Sequence, residues 1–358
     1  MWHDTTFTSR TGARLPIVAA PMAGGPTTPQ LVAEVSGAGG FGVLSGGYQA
    51  PESFREQIRE VRRRTRAPFG VNLLVAEPFT VDEAGVQAAL GLLRPYADEL
   101  GVTLEVPTSV GDDVDALFEV VLDERVPFFS FTFGIPDGER LGALREAGVT
   151  TCGTATSVEE ARAVVDAGAD MVCVQGGEAG GHRGGFLADA AESPVGLLAL
   201  LPRVRDAVEV PVVAAGGIMD GRGVAGVLAL GADAAQLGTA FLLCPEAGTS
   251  EPYRRAVREA TGSDTVITRA FSGKPARGLA NRMTRELAGA ELPPYPVMNA
   301  LTRPLRRAAA AAGRPELLSL WAGQGVPLAR ELPAAEIVRA LEQETDAALE
   351  RLCLCDDL

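Results

Sequence analysis

The run QGGEAGGHRGG at residues 175–185 concentrates the chain's strongest candidate for chemistry. Six of its eleven residues are glycine, too many for a packed core. Glycine lets a backbone turn sharply and approach a ligand closely, so the run reads as a ligand-facing loop. His182 sits inside it. The only other histidine is His3, near the N-terminus. An imidazole titrates near neutrality, which suits a general base; a solvated loop histidine is the plainer alternative.

Two more segments, AAGGIMDGRG (214–223) and QLGTAF (236–241), place Gly216, Gly217, Gly238 and Thr239 where backbone N–H groups can cradle a phosphate. Ordinary glycine turns are the competing reading of each alone. Three amides, Asn72, Gln175 and Gln236, lie in or at the end of apolar runs and need hydrogen-bond partners. Together they suit a flat ring system with several donors and acceptors, against which Met22 in APMAGG could pack. SGKPARG (272–278) adds Lys274 and Arg277, either a solvated loop or a source of local positive potential. Trp321 in WAGQG reads as packing, with a lid role as the alternative.

These residues need a scaffold, and the chain supplies one. Eight continuous apolar runs are strand candidates: 16–21, 41–46, 69–75, 127–133, 149–154, 170–176, 211–217 and 234–239. Unbroken rather than alternating hydrophobicity marks parallel strands covered on both faces. In SGAGGFGVLS, REAGVTTCGT, VDAGADMVCVQ and LALGADAAQLG a helix ends in a glycine that leads straight into a strand. Strand–helix alternation repeated eight times predicts an α/β fold, a closed (β/α)8 TIM barrel, over an open doubly wound sheet. Every chemical candidate named so far except Asn72, Lys274, Arg277 and Trp321 then follows or closes a strand, at the end where barrels build active sites.

Helix starts are expected at Thr28-Pro29, Ala50-Pro51, Thr156-Ser157 and Ser193-Pro194. Residues 76–126 hold more helix than one crossover needs. The regularity breaks after the eighth strand. We expect residues 1–261 and 332–358 to form the barrel domain, and 262–331 a small, mainly helical insertion covering the site. A last amphipathic helix is expected over about 333–352, with Ile337, Leu341, Ala348 and Leu352 on one face.

Composition narrows the rest. A formal charge of −14 disfavours nucleic acid and anionic membranes as partners. The five cysteines are scattered, with no CxxC pair or metal spacing, so no metal is expected and a reducing, cytoplasmic setting is. The N-terminal residues lack the apolar stretch of a signal peptide, and no apolar run is long enough to span a membrane. No GxGxxG dinucleotide fingerprint follows the first strand, and no P-loop motif is present.

APMAGG, FGVNLL, SFTFG, QGGEAGGH, VVAAGGI, QLGT, SGKPARG and WAGQG, in this order, resemble the nitronate monooxygenases, also called 2-nitropropane dioxygenases. The likeness runs from about residue 14 to 330, and QGGEAGGH is its most telling motif. The resemblance implies a metal-free barrel holding FMN. Met22, Asn72 and Gln175 would contact the flavin and ribityl chain, with Gly180 and Gly181 close by. Gly216, Gly217 and the run Gln236, Leu237, Gly238 and Thr239 would hold the phosphate. His182 matches the catalytic histidine. Alkyl nitronates, and some neutral nitroalkanes, would react with O2 to give a carbonyl compound and nitrite or nitrate. The chain departs from the family in its insertion. Some members carry aromatic and lysine side chains there, whereas YPVMNALTRP offers Tyr295, Asn299 and Arg303. Lys274, Tyr295 and Arg303 are the substrate-side candidates, in a monomer or homodimer. The runner-up is a related FMN barrel reductase using NAD(P)H on an enoyl thioester or quinone. A flavin-binding barrel without turnover is a third reading, disfavoured by the intact His182 and glycine loops.

Overall fold

The structure, a computed structural model, describes residues 1–75, 79–106, 110–187 and 194–353. Eight parallel strands close into a barrel: β1 (Ile17–Ala19), β2 (Phe41–Ser45), β3 (Gly70–Leu74), β4 (Phe128–Thr132), β5 (Thr150–Ala155), β6 (Met171–Gln175), β8 (Val212–Ala215) and β9 (Ala234–Leu237). Closure is made by β1 against β9, with Ile17 opposite Ala235. Seven strands fall within their apolar runs, and β5 extends one residue past its own, to Ala155. The repeated glycines do what their position requires: Gly39, Gly148, Gly168 and Gly231 all have φ between 72° and 102°, the left-handed turn that ends a helix and feeds the next strand.

Helices begin at Thr28, Ala50 and Ser157 as expected, each as the residue before the first helical turn. The start expected at Ser193-Pro194 differs. Ser193 lies outside the described residues, Pro194 is not helical, and the helix Leu197–Arg205 begins after Gly196. The surplus helix in the third crossover is Glu83–Leu100, in addition to Val114–Asp123.

The segment 262–331, which follows β9 and the helix Glu251–Glu259, is less helical than its composition suggests. It opens with a hairpin of β10 (Thr265–Thr268) and β11 (Ala276–Leu279), and β11 pairs antiparallel with β7 (Gly181–His182). A helix, Val297–Ala311, follows. The side chains Met283, Met298, Leu301 and Leu305 form an apolar cluster with Val86, Leu93 and Tyr96 of Glu83–Leu100, separate from the barrel's own. The last helix, Ala334–Cys353, buries Ala334, Ile337, Val338, Leu341 and Thr345. Leu352, expected on that face, is 65 % exposed. The helix is pressed most closely onto Gly221, where a Cβ would lie 2.3 Å from the Thr345 nitrogen, and its seat ends before Leu352. Thr345 is tolerated there because its hydroxyl donates to the Leu341 carbonyl at 2.6 Å.

Candidate active site

A cavity of about 770 Å³ opens at the C-terminal ends of the barrel strands. Met22, Asn72, Gln175, Gly180, Gly181, His182, Gly216, Gly217, Gln236, Gly238, Thr239 and Arg303 all line it. Leu237 does not: its side chain is 1 % exposed within the barrel's apolar core, and its carbonyl accepts from Ala20 N at 2.9 Å. Strand alternation explains this, because Gln236 points inward and its neighbour must point out.

The loop after β6 is held as a rigid frame around His182. Gln175 spends both ends of its amide on it, donating to the His182 carbonyl and accepting from Gly184 N, each at 2.9 Å. Arg183, 1 % exposed, donates to the carbonyls of Gly176 at 2.7 Å and Gln175 at 3.1 Å. Arg277, also buried, donates to the Gly177 carbonyl at 2.9 Å. Two guanidinium groups thus satisfy carbonyls that the end of β6 leaves unpaired. Burial lowers the Arg183 pKa to about 10. Arg277 is therefore in a buried strand and not in a solvated loop. Arg183 escaped sequence reasoning, although an arginine inside a glycine loop beside a strand end is a signal of this kind.

The glycines of this loop serve packing more than expected. A Cβ on Gly180 would meet Gly323 N at 2.5 Å, one on Gly184 would meet Thr154 at 2.6 Å, and one on Gly176 would meet Leu197 at 2.6 Å. Gly181 has nothing within 4 Å of a Cβ, with φ of 77°. Gly180 is closed off by WAGQG, which crosses over the loops. Gly323 N donates to Thr239 Oγ1 and Gln324 N to the Glu178 carbonyl, both at 3.0 Å.

His182 lies in an aromatic box. Its ring centroid is 5.4 Å from Trp321, 5.5 Å from Phe133 and 6.0 Å from Tyr295. Burial, and then the positive charges of Lys274 and Arg306, lower its pKa to about 3, so the ring is neutral at ordinary pH. Its Nε2 is 2.8 Å from Ser272 Oγ, which is also 3.2 Å from the Lys274 carbonyl. A carbonyl only accepts. A hydroxyl that donates to it therefore accepts from Nε2–H, which leaves Nδ1 as the basic nitrogen. Lys274 Nζ lies 4.7 Å from the centre of the Phe133 ring and donates to the Gly185 carbonyl at 3.1 Å. Lys274 and Tyr295 stand behind and beside His182, whereas Arg303 reaches the cavity wall itself.

Arg303 is not alone. Arg306 and Arg307, three and four residues on along the same helix, line the cavity too. This i, i+3, i+4 arrangement gives a cationic face. Arg306 donates to Asn299 Oδ1 at 2.7 Å, and burial lowers its pKa to about 10. Sequence reasoning missed both, although the spacing in TRPLRR shows it. Trp321 packs edge-on against Phe271 and lines the cavity, as its packing reading expects.

The donor set fits a flavin. Asn72 donates to Ser130 Oγ at 3.0 Å from the barrel wall, and Gln236 makes only a long 3.4 Å contact to Cys173 Sγ, so amide capacity remains at the strand ends. Gly216 and Gly217, at φ 121° and 70°, and the start of the short helix Thr239–Phe241 form a cradle on adjacent strands, β8 and β9. Among the described residues no group of three or more His, Cys, Asp or Glu side chains is arranged to hold a metal, and no helix is long and apolar enough to cross a membrane. Cys152, Cys173 and Cys244 are free and buried.

A closed (β/α)8 barrel with a half-buried, neutral histidine and glycine cradles at its strand ends defines a flavin-type barrel oxidoreductase. The family model for nitronate monooxygenase matches residues 8–344. A probable nitronate monooxygenase of Staphylococcus aureus (strain JH9) is 41 % identical over 342 residues, 94 % of this chain and 96 % of that one. Among solved structures, nitroalkane oxidase from Streptomyces ansochromogenes superposes with a TM-score of 0.92 at 46 % identity, covering 97 % of this chain and 99 % of that one. FabK from Thermotoga maritima follows at 0.77 and 31 %, covering 97 % and 98 %. The chain belongs to the nitronate monooxygenase family, and it is an oxidoreductase.

Proposed function

We propose that this protein is an FMN-dependent monooxygenase that oxidises alkyl nitronates, and neutral nitroalkanes, with O2 to a carbonyl compound and nitrite or nitrate. The observation that carries the reading is His182. It is a neutral imidazole in an aromatic box, held by Ser272 and flanked by cations, at the mouth of a cavity whose deeper wall suits a flavin.

FMN, held by Met22, Asn72, Gln175 and Gln236 at the ring and by the Gly216–Gly217 and Gly238–Thr239 loops at the phosphate, would supply the electron acceptor and the centre at which O2 reacts. The protein's own residues do the rest. With a neutral nitroalkane, His182 Nδ1 takes the α-proton, and the nitronate that results is an anion. Lys274 and Arg306 stabilise that anion electrostatically. They also keep the imidazole unprotonated until substrate presents its proton. Phe133, Tyr295 and Trp321 exclude water and leave an apolar slot for the alkyl chain. The segment 262–331 acts as the cover, contributing Ser272, Lys274, Tyr295, Arg306 and Trp321 to the site.

The test begins with the visible spectrum of the purified holoprotein and identification of its flavin by mass. Oxygen uptake with a nitronate and without NAD(P)H supports the reading; a colourless chain that takes up no added FMN overturns it. A second reading, a flavin barrel reductase fed by a pyridine nucleotide, draws on Arg303, Arg306 and Arg307, a face suited to phosphates. Rapid anaerobic flavin bleaching by NADPH would favour it.

A further inference from the structure

The cavity does not stop at the strand ends. Its lining includes Phe7, Val18, Phe128, Cys152, Cys173 and Val213, none more than 5 % exposed. These are inward-facing barrel residues and, in Phe7, a side chain of the N-terminal helix Thr6–Thr11, which closes the barrel's far end. Inward positions repeat every second residue, about 6.6 Å along a strand. Cys173 and Val213 therefore lie one layer below Gln175 and Ala215, and Phe128 two layers below Thr132, about 13 Å deeper.

A barrel of this size is ordinarily filled by bulky branched side chains in layers. Here the middle layer is built from small side chains, Val, Cys, Ala and Ser130, which leaves the space open. Below it the barrel is sealed. Phe7, Phe41 and Phe128 meet edge to face with centroids 5.1 to 6.4 Å apart. The result is a blind sac, open only upward, toward Asn72, Gln175 and Gln236. Its lower wall offers thiols, hydrocarbon and one hydroxyl, Ser130 Oγ, which already accepts from Asn72 and donates to the Val71 carbonyl at 3.3 Å, whereas a trapped water needs two to four polar partners. An apolar void of this kind stays dry and accepts small apolar solutes.

We propose that this sac is a binding site for a small apolar gas, and that in the working enzyme it holds O2 beneath the group bound at Asn72, Gln175 and Gln236, on the side away from His182. Naming O2 rests on the oxygenase reading above; the gas site itself does not. The arrangement separates the two reactants, with the organic substrate entering past the arginines and Trp321 from above and the gas waiting below.

Xenon is the direct probe. A crystal of the holoenzyme under xenon pressure should show one or more atoms among Phe128, Cys152, Cys173 and Val213, and Val213→Phe should remove them. Val213→Leu, a smaller filling, serves if the Phe variant does not fold. The kinetic measurement uses flavin reduced by light, so it is independent of the nitronate reading. Reoxidation by O2 should slow by about five-fold or more in the variant that excludes xenon, while its flavin affinity is retained. Water in the sac, absence of xenon, or an unchanged reoxidation rate in a xenon-free variant each overturns the proposal. Failure of the wild-type protein to consume a nitronate, with xenon bound and reoxidation slowed in the variant, would count against the substrate reading and leave the gas site standing.

Discussion

At the scale of single residues, everything turns on one nitrogen of His182. Replacing it by asparagine puts a non-basic amide where Nδ1 stood, though the shorter side chain gives up the Nε2 contact to Ser272. His182→Asn should retain flavin and lose about 10²–10⁴-fold in kcat/KM with neutral nitroalkanes, while preformed nitronates suffer far less. Equal losses on both would show that the imidazole does not act as the base. The acid limb gives a second reading of the same group. An ordinary histidine would be half protonated near pH 6.5. Here burial and two neighbouring cations lower the pKa to about 3. The base is active when deprotonated, so activity is lost only as pH falls through the lowered value. The profile with a neutral nitroalkane should stay flat from about pH 8 to pH 5, read as kcat/KM at saturating O2. A midpoint near 6.5 would refute it. Ser272→Ala removes one neutral hydrogen bond worth about 1 kcal/mol, roughly a five-fold rate effect. It should lower kcat on neutral nitroalkanes, with Ser272→Thr restoring it. Rescue matters because a merely structural serine would leave the nitroalkane-to-nitronate ratio unmoved.

At the scale of elements, the glycine loop makes a prediction that distinguishes two uses of the same residue. Gly180→Ala pushes a Cβ into the backbone of the crossing WAGQG segment, 2.5 Å from Gly323 N. Overpacking of this kind costs about 1–3 kcal/mol, and here it would displace Trp321 and Thr239 with it. Gly181→Ala meets no atom and suffers only the left-handed backbone, about 1 kcal/mol. Thermal unfolding and FMN titration of the two variants should rank Gly180→Ala as the more damaging in both; the reverse order would show that the open face of Gly181 is the tighter contact. The same elements show what the sequence makes legible. The eight strands and their feeding glycines were readable because each signal is local, an apolar run or a turn residue. What escaped is what forms between distant segments. Nothing local marks Gly181–His182 as a strand, because its partner Ala276 arrives 94 residues later in a hairpin. Ser272 becomes the partner of His182 across 90 residues for the same reason. Arg183 and Leu352 failed differently. The first is a charge whose burial is tolerable only because strand-end carbonyls surround it, and the second has the right helical phase but lies past the end of the surface the helix covers.

At the scale of the whole molecule, charge and site pull in opposite directions. The chain carries a formal charge of −14, so a nitronate anion approaching at random is repelled. Arg303, Arg306 and Arg307 nevertheless line the cavity. Which field governs capture can be read from the sign of the salt dependence. Exposed charges more than about 8–10 Å apart are screened at physiological ionic strength, so added salt weakens the diffuse repulsion and the mouth's attraction alike. If the arginines dominate at the entrance, kcat/KM for a nitronate falls as salt rises; if the net charge dominates, it climbs. The proximity of three cations to the path favours the first. Reversing the two outer charges in Arg303→Glu/Arg307→Glu should then turn the slope around, so that salt accelerates the variant. Neutral nitroalkanes should show little slope in either protein, which separates capture from any effect of salt on the fold. Arg306 is left in place because it is half-buried and bonded to Asn299, so its loss would disturb the helix as well as the field. A wild-type rate that rises with salt would mean that the arginines line the cavity without steering anything into it.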